Sequence, residues 1–154
     1  MGGPENRVAA RADRRRSGSL RTVTHHRHAV SAPDAPEAVG AYSHAVVSNG
    51  LVFCSGQVPL YPASGELVEG DIGAQLTRCL DSLATVCESA GARLADAVRT
   101  TLYLTDLPGD WSAVNEAYGA YFTGAEPPAR VAIGVAALPK GARVEVDAVV
   151  ALPD

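Results

Sequence analysis

The alternation of apolar and polar positions between residues 42 and 56 predicts a β-hairpin. Two strand-like runs, 42–48 and 51–56, flank the dipeptide Asn49-Gly50. Asn-Gly favours a tight hairpin turn because both residues tolerate positive φ. The proline-rich residues 32–36 should be extended or turn-like, since proline fixes φ and restrains its predecessor. Residues 59–70 hold two prolines and two glycines and are typical of a loop.

From Ile72 onwards, the apolar residues follow a helical period instead of the alternation that is typical of strands. Apolar residues recur at every third or fourth position and predict one amphipathic helix, with a stripe made of Ile72, Leu76, Cys79, Leu80, Leu83, Val86 and Cys87. Asp71 is suited to cap the amino end of this helix, and Gly91 is suited to end it. Strand-like alternation returns over residues 97–105.

A second helix is predicted from near Asp110 to near Phe122, followed by two strands over 130–137 and 143–152. The apolar face of this helix would carry Trp111, Val114, Tyr118, Tyr121 and Phe122. The order β-β-α-β-α-β-β predicts one α+β domain, in which two helices cover one face of a mixed sheet.

Charge is distributed unevenly along the 154 residues. Residues 1–27 hold seven arginines and two acids, whereas residues 28–154 hold six basic and fifteen acidic residues. We therefore expect an arginine-rich, disordered extension over 1–26 and a folded domain over 27–154. The acidic domain argues against nucleic acid as a partner, because phosphate contacts need clustered Lys and Arg.

The sequence also bears on location and cofactors. It lacks the run of about 20 apolar residues that a membrane span needs and the apolar stretch of a secretory signal, so we expect a cytoplasmic protein without a membrane partner. Cys54, Cys79 and Cys87 lack metal-ligand spacing and are expected to be buried thiols. The histidines at 25, 26 and 28 belong to or border a flexible tail without fixed geometry, so we expect no metal and no cofactor.

Arg130 is the strongest candidate for a binding residue. It follows the stiffening prolines of 127–129 and opens a strand on the face that also carries Ala132, Gly134 and Ala136. Such small neighbours leave space in which a guanidinium can bind a carboxylate through two parallel hydrogen bonds. A structural ion pair, within the chain or with a neighbouring subunit, would explain the same pattern.

Glu145 and Asp147 share one face of the last strand, opposite Val144 and Val146. That face is either exposed to solvent or lines a pocket in which Glu145 orients or activates a water molecule. If the last two strands formed a simple hairpin, Glu145 would lie about 15 Å from Arg130 at ~3.3 Å per residue. The two residues could share a pocket only if these strands are not direct neighbours or if the pocket forms between subunits.

Four further positions are weaker candidates. Asn115 interrupts the apolar side of the second helix, and as a buried amide it would bind either its own fold or a ligand. Ser55 and Gly56 end the second hairpin strand, where a backbone amide could meet a substrate or the chain could simply leave the sheet. Tyr42 begins the first hairpin strand and is either a site residue or an amphipathic surface aromatic.

Five motifs, in this order, resemble the RidA/YjgF family of reactive-intermediate deaminases, formerly named L-PSP endoribonucleases. They are Val-Gly-Ala-Tyr-Ser at 39–43, Cys-Ser-Gly-Gln-Val-Pro at 54–59, Val-Asn-Glu-Ala-Tyr at 114–118, Pro-Pro-Ala-Arg at 127–130 and Leu-Pro-Lys-Gly-Ala-Arg-Val-Glu-Val at 138–146. The resemblance covers about residues 32–152. It implies a chorismate-mutase-like fold and a homotrimer with three clefts between subunits. It also implies hydrolysis of 2-imino and enamine acids, released by pyridoxal-phosphate enzymes, to 2-oxo acids and ammonia.

The resemblance further implies roles for single residues. Arg130 matches the family's carboxylate-binding arginine, and Glu145 matches its water-handling glutamate. The family's pocket tyrosine, serine and asparagine match Tyr42, Ser55 and Asn115. Ala132 stands where relatives often carry Cys or another polar residue, and Cys54 replaces a common Thr. The resemblance therefore indicates the type of reaction more closely than the identity of the substrate.

Three functions are therefore compared below. The first is an imine hydrolase. The second is a ligand-binding or pathway-specific tailoring protein that keeps Arg130 but lacks the hydrolytic water. The third is RNA cleavage, which the acidic domain disfavours.

Overall fold

Six strands form one mixed sheet in the computed structural model, which describes residues 26–154. In chain order the strands are β1 (Arg27–Val30), β2 (Ala45–Ser48), β3 (Leu51–Gln57), β4 (Ala97–Leu104), β5 (Ala129–Gly134) and β6 (Val144–Ala151). Their order across the sheet is β1-β2-β3-β6-β4-β5. β4 and β5 run parallel, and every other neighbouring pair is antiparallel. The expected disordered extension lies outside the described residues, apart from its last position.

Two helices, α1 (Ile72–Ser89) and α2 (Leu107–Tyr121), accompany this sheet. The apolar stripe of α1 is buried, as are the alternate residues of β6 that begin with Val144 and Val146. The other residues of β6 are only partly covered, so the helices pack on one face of the sheet and leave the second face open. The predicted α+β class is confirmed.

Local signals in the chain determine where several elements begin and end. β2 and β3 form the predicted hairpin, in which Ser48 pairs with Leu51 and both turn residues, Asn49 and Gly50, have positive φ. The Oδ1 atom of Asp71 accepts a hydrogen bond from the Ala74 amide at 2.8 Å and caps α1 as predicted.

The arrangement of the last two strands differs from a simple hairpin. β4 lies between β5 and β6 and pairs with both. The reason is the connection, because a helical crossover joins parallel neighbours and α2 links β4 to β5 in this way. The chain then reaches β6, on the other side of β4, through residues 135–143, which include the 3₁₀ turn Pro139–Gly141.

Two other boundaries were not predicted. The four-residue strand β1 pairs with β2, and of its residues only Val30 is buried, so its apolar pattern is too short to detect. α2 begins at Leu107 rather than near Asp110, because Asp106 accepts a hydrogen bond from the Gly109 amide at 3.1 Å and caps the helix earlier.

The three cysteines are buried and free, which confirms the expectation of buried thiols. Within residues 26–154, no helix is long and apolar enough to cross a membrane. In the same range, no group of three or more His, Cys, Asp or Glu side chains is arranged to hold a metal ion.

Candidate functional site

Arg130 lies on the helix-facing side of β5, where residues of α2 surround its guanidinium. Its strand partner Thr100 is fully buried and hydrogen-bonds to the Tyr118 hydroxyl at 2.7 Å, which places this face of the sheet under the helix. The guanidinium carbon of Arg130 lies 4.7 Å from the ring centroid of Tyr118 and 5.1 Å from that of Trp111. Both are cation–π distances. The guanidinium thus lies over both aromatic rings.

A cleft opens beside this guanidinium. Its volume is about 480 Å³, and its lining residues are Leu107, Pro108, Trp111, Arg130 and Ala132. Neither of the two ion pairs found within residues 26–154 includes Arg130. In the described part of the chain, the guanidinium therefore has no intramolecular carboxylate partner, and the cleft gives an anionic ligand access to it.

The structure corrects the roles expected of two residues of α2. Trp111, assigned to the apolar face, is 40% exposed because it covers Arg130 instead of entering the core. Asn115 is exposed rather than buried, and its Oδ1 atom accepts a hydrogen bond from Nη2 of Arg130 at 3.0 Å. Trp111 and Tyr118 are site residues that sequence reasoning missed, since it assigned both only to the apolar face of the helix.

Glu145 belongs to a second cluster, on the open side of the sheet. It alternates with the buried Val144 and Val146, so its side chain leaves the sheet away from the helices. A cavity of about 290 Å³ lies there, and its polar lining includes Tyr42, His44, Ser55, Gln57, Lys140 and Glu145. Burial, and then the nearby Asp147 carboxylate, raise the pKa of Glu145 above its ordinary range. A carboxyl group with a raised pKa is suited to proton transfer.

Gly56 leaves room for the Glu145 carboxylate in the position that it has in this structure. A Cβ atom on residue 56 would collide with Oε1 of Glu145 and displace the carboxylate. The carboxylate therefore rests directly against the backbone of β3, at the irregularity in the β3–β6 pairing between Cys54 and Gln57. A glycine here lets the acid approach the strand.

Ser55 and Tyr42 lie on the rim of the same cavity, in settings that differ from expectation. The Ser55 amide already donates to the His44 carbonyl at 2.9 Å, and the Ser55 hydroxyl donates to the Ser43 carbonyl at 2.7 Å. This amide is thus engaged within the protein. Tyr42 lies in the loop before β2 rather than on a strand, and its hydroxyl accepts a hydrogen bond from the Val39 amide at 3.3 Å.

The candidate residues thus fall into two clusters. Asn115, Arg130 and Ala132 lie together on the helix-facing side, and Tyr42, Ser55, Gly56 and Glu145 lie together on the open side. Across β4, Arg130 is aligned with Thr100 whereas Glu145 is aligned with Tyr103. A single chain does not bring the two clusters into one pocket.

The mixed sheet with two helices on one face defines a chorismate-mutase-like α+β protein, the class to which YjgF structures belong. A family model described as Endoribonuclease L-PSP matches residues 32–152. The chain therefore belongs to the RidA/YjgF family.

Individual relatives agree with this assignment. The chain is 50% identical over 125 residues to Protein DfrA of Myxococcus xanthus, covering 80% of this chain and 94% of that protein. It is 42% identical over 123 residues to the 2-iminobutanoate/2-iminopropanoate deaminase of Rattus norvegicus, and the match covers 80% of this chain and 88% of that protein. The crystal structure of the Escherichia coli YjgF gene product superposes with a TM-score of 0.76 at 36% identity, and the match covers 80% of this chain and 98% of that one. The family thus includes proteins named as imine deaminases.

Proposed function

We propose that this protein hydrolyses reactive 2-imino or enamine acids to 2-oxo acids and ammonia. The observation that carries the proposal is the setting of Arg130. Its guanidinium is held by Trp111, Tyr118 and Asn115, has no carboxylate partner in the described chain and borders an open cleft. Such a group favours a substrate with a carboxylate, because a guanidinium offers two parallel donors. The relative from Rattus norvegicus is named for two imino acids that carry one.

The proposed chemistry requires little beyond orientation and one proton-transfer group. Arg130 binds the carboxylate and so places the electrophilic imine carbon in the site. Water adds to the carbon of the protonated imine while Glu145 accepts a proton from it, and Glu145 then returns this proton to the nitrogen of the resulting carbinolamine. As the carbon–nitrogen bond breaks, the carbinolamine hydroxyl gives its proton to Glu145, ammonia leaves, and the carbonyl of the 2-oxo acid remains. Glu145 then releases the proton to solvent. The raised pKa of Glu145 suits a group that both accepts and donates a proton.

The proposal further assigns the two clusters to one cleft between copies of the chain in a homotrimer. The open sheet face supports this assembly, because it exposes apolar side chains that a second copy would cover. Phe53, Val131 and Ile133 are between 39% and 46% exposed, and pairing across the sheet places them on the same face as Glu145 and Asp147. Light scattering at micromolar concentration should give the mass of a trimer, and a monomer would overturn the shared cleft.

The free, buried thiols fit a reducing compartment, so the proposal places the protein in the cytoplasm. The acidic domain leaves RNA cleavage without the basic surface that it needs. The proposed reaction uses no cofactor.

An amino-acid oxidase that generates imino acids in the assay tests the activity. Semicarbazide traps the imine rapidly and the 2-oxo acid slowly, so imine hydrolysis lowers the initial rate of semicarbazone formation. We expect the protein to lower that rate with 2-iminobutanoate or with a bulkier imino acid, and Glu145→Gln to lower it far less. An unchanged rate for small and bulky imino acids alike would overturn the proposed hydrolysis. Product binding without turnover would favour the ligand-binding alternative.

A further inference from the structure

The loop over residues 36–44 forms one wall of the Glu145 cavity. Pro36, Glu37, Val39, Tyr42 and His44 of this loop all line the cavity. The middle of the loop is not held by burial, since Val39 is 65% exposed and Tyr42 is 47% exposed. Other contacts must therefore determine where the loop places Tyr42.

The imidazole of His44 connects the two ends of this loop. Its Nδ1 atom accepts a hydrogen bond from the Ala32 amide at 3.2 Å. Because a backbone N–H group only donates, Nδ1 carries no hydrogen, and the ring hydrogen is on Nε2. Nε2 then donates to the Pro36 carbonyl at 3.0 Å. One ring thus fixes the start of the loop to its last residue.

The backbone beside His44 is fixed in turn to the sheet. The His44 carbonyl accepts a hydrogen bond from the Ser55 amide at 2.9 Å, and the Ser43 carbonyl accepts one from the Ser55 hydroxyl at 2.7 Å. Ser55 itself lines the cavity beside Gly56 and Glu145. The hydrogen bonds therefore run without a break from Pro36 through His44 to the strand that supports the Glu145 carboxylate.

We propose that His44 is a positioning residue. Its ring closes the base of the 36–44 loop and thereby sets the position of Tyr42 over the cavity that contains Glu145. The assignment requires no contact between His44 and the substrate. The expected effect of His44 on catalysis rests on the proposed function, whereas its expected effect on the position of the loop does not.

Three substitutions in the full chain separate the two hydrogen bonds from the bulk of the ring. His44→Ala removes both, and His44→Met fills similar space without providing a donor. His44→Gln offers one amide acceptor and one amide donor and should restore both contacts. His28→Ala is the matched control, because His28 is an exposed histidine on β1.

Cleavage after Glu37 by a glutamate-specific protease reports on the loop itself, since Glu37 lies within it. We expect faster cleavage in the Ala and Met variants and cleavage near the wild-type rate in the Gln variant and the control. The initial rate should be followed by mass spectrometry of the fragment that ends at Glu37. Equal rates in all variants would overturn the proposal, and so would faster cleavage in the Gln variant as well.

A second experiment measures kcat/KM for imino-acid hydrolysis by the same variants. Loss of two hydrogen bonds that hold the loop should lower kcat/KM by about tenfold in the Ala and Met variants, with recovery in the Gln variant. Wild-type protein without activity would refute the proposed function and leave the protease result to decide the role of His44. Active wild type with unchanged kcat/KM in the Met variant would overturn the positioning role.

Discussion

The Oδ1 atom of Asn115 accepts a hydrogen bond from Nη2 of Arg130 at 3.0 Å, across the gap between α2 and β5. A guanidinium has five N–H donors, so this contact orients the group and leaves others for a ligand. The aromatic rings of Trp111 and Tyr118 lie at cation–π distance from the same guanidinium and add contacts that do not consume a donor. The arginine is therefore preorganised and still able to bind a carboxylate.

Replacing Arg130 tests its assignment to substrate binding. Arg130→Ala should lower kcat/KM roughly ten- to a hundredfold, because charge-assisted contacts contribute about 1.5–3 kcal/mol. Arg130→Lys should restore only part of the loss, since one ammonium does not reproduce the paired donors. Steady-state kinetics and light scattering of both variants provide the check. Arg130→Ala protein that keeps its assembly and the wild-type rate would rule the assignment out.

Ligand binding should also be visible in fluorescence. Trp111 is the only tryptophan of the chain, and Arg130 lies over its ring. A carboxylate that binds Arg130 should change the polarity around the indole, so titration with 2-oxobutanoate should shift the emission saturably. Arg130→Ala should abolish the shift. A saturable shift of equal size in that variant would place the ligand elsewhere.

Gly56 offers a test of the Glu145 carboxylate with little effect on the fold. In Gly56→Ala the new methyl group would collide with Oε1 of Glu145, so the carboxylate must move. A misplacement of about 1 Å can lower activity by about a hundredfold, and we expect a loss of that order with assembly intact. Gly119→Ala is the control: among residues 26–154, its added Cβ meets no atom within 4 Å outside the adjacent backbone of its own helix, and alanine in a helix should stabilise the protein by roughly 0.5–1 kcal/mol. Wild-type kinetics in Gly56→Ala would contradict a role for the Glu145 position.

The raised pKa of Glu145 has a consequence for stability. Burial and Asp147 raise its pKa in the folded state above the value of about 4.3 expected in the unfolded chain. The folded state thus favours the protonated acid. The stability that depends on this protonation is fully present below pH about 4.3, and it is lost as pH rises through the folded-state pKa. Glu145→Gln should therefore match the wild-type Tm at low pH and exceed it at neutral pH. Thermal melts across this range, with Glu126→Gln as an exposed control, measure the difference. A Tm difference that does not change with pH would contradict the raised pKa of Glu145.

Features determined within a few residues were predictable from the sequence, whereas features that depend on distant contacts were not. The Asn49-Gly50 turn and the Asp71 cap are local, and the structure has both where the sequence predicts them. The position of β4 between β5 and β6 depends on which strands pair, and the alternation within a strand carries no information about its neighbours.

The candidate site shows the same division. The small residue at Ala132 beside Arg130 follows from strand alternation, and both line one cleft. Trp111 lies at helical spacing from Val114, which favours a core position, but helical periodicity does not show how far the core extends along α2. Trp111, near the amino end of α2, lies outside the core and covers Arg130 instead. Only the packing of α2 on β5 could place an indole over the guanidinium.

Arg130 and Glu145 lie on opposite faces of the sheet. If one active site takes Arg130 from one copy and Glu145 from the next, Arg130→Ala and Glu145→Gln damage different halves of each site. Random assembly of the two co-expressed variants in a closed ring should give about three quarters mixed trimers, and each mixed trimer has one intact site of three, so about a quarter of all sites carry both intact residues. Activity should recover to about a quarter of wild type, whereas the two variants purified separately and mixed without subunit exchange should keep only the residual activity of the single variants. Co-expressed protein no more active than the unexchanged mixture would show that both residues act within one copy of the chain, and the shared cleft would have to be abandoned.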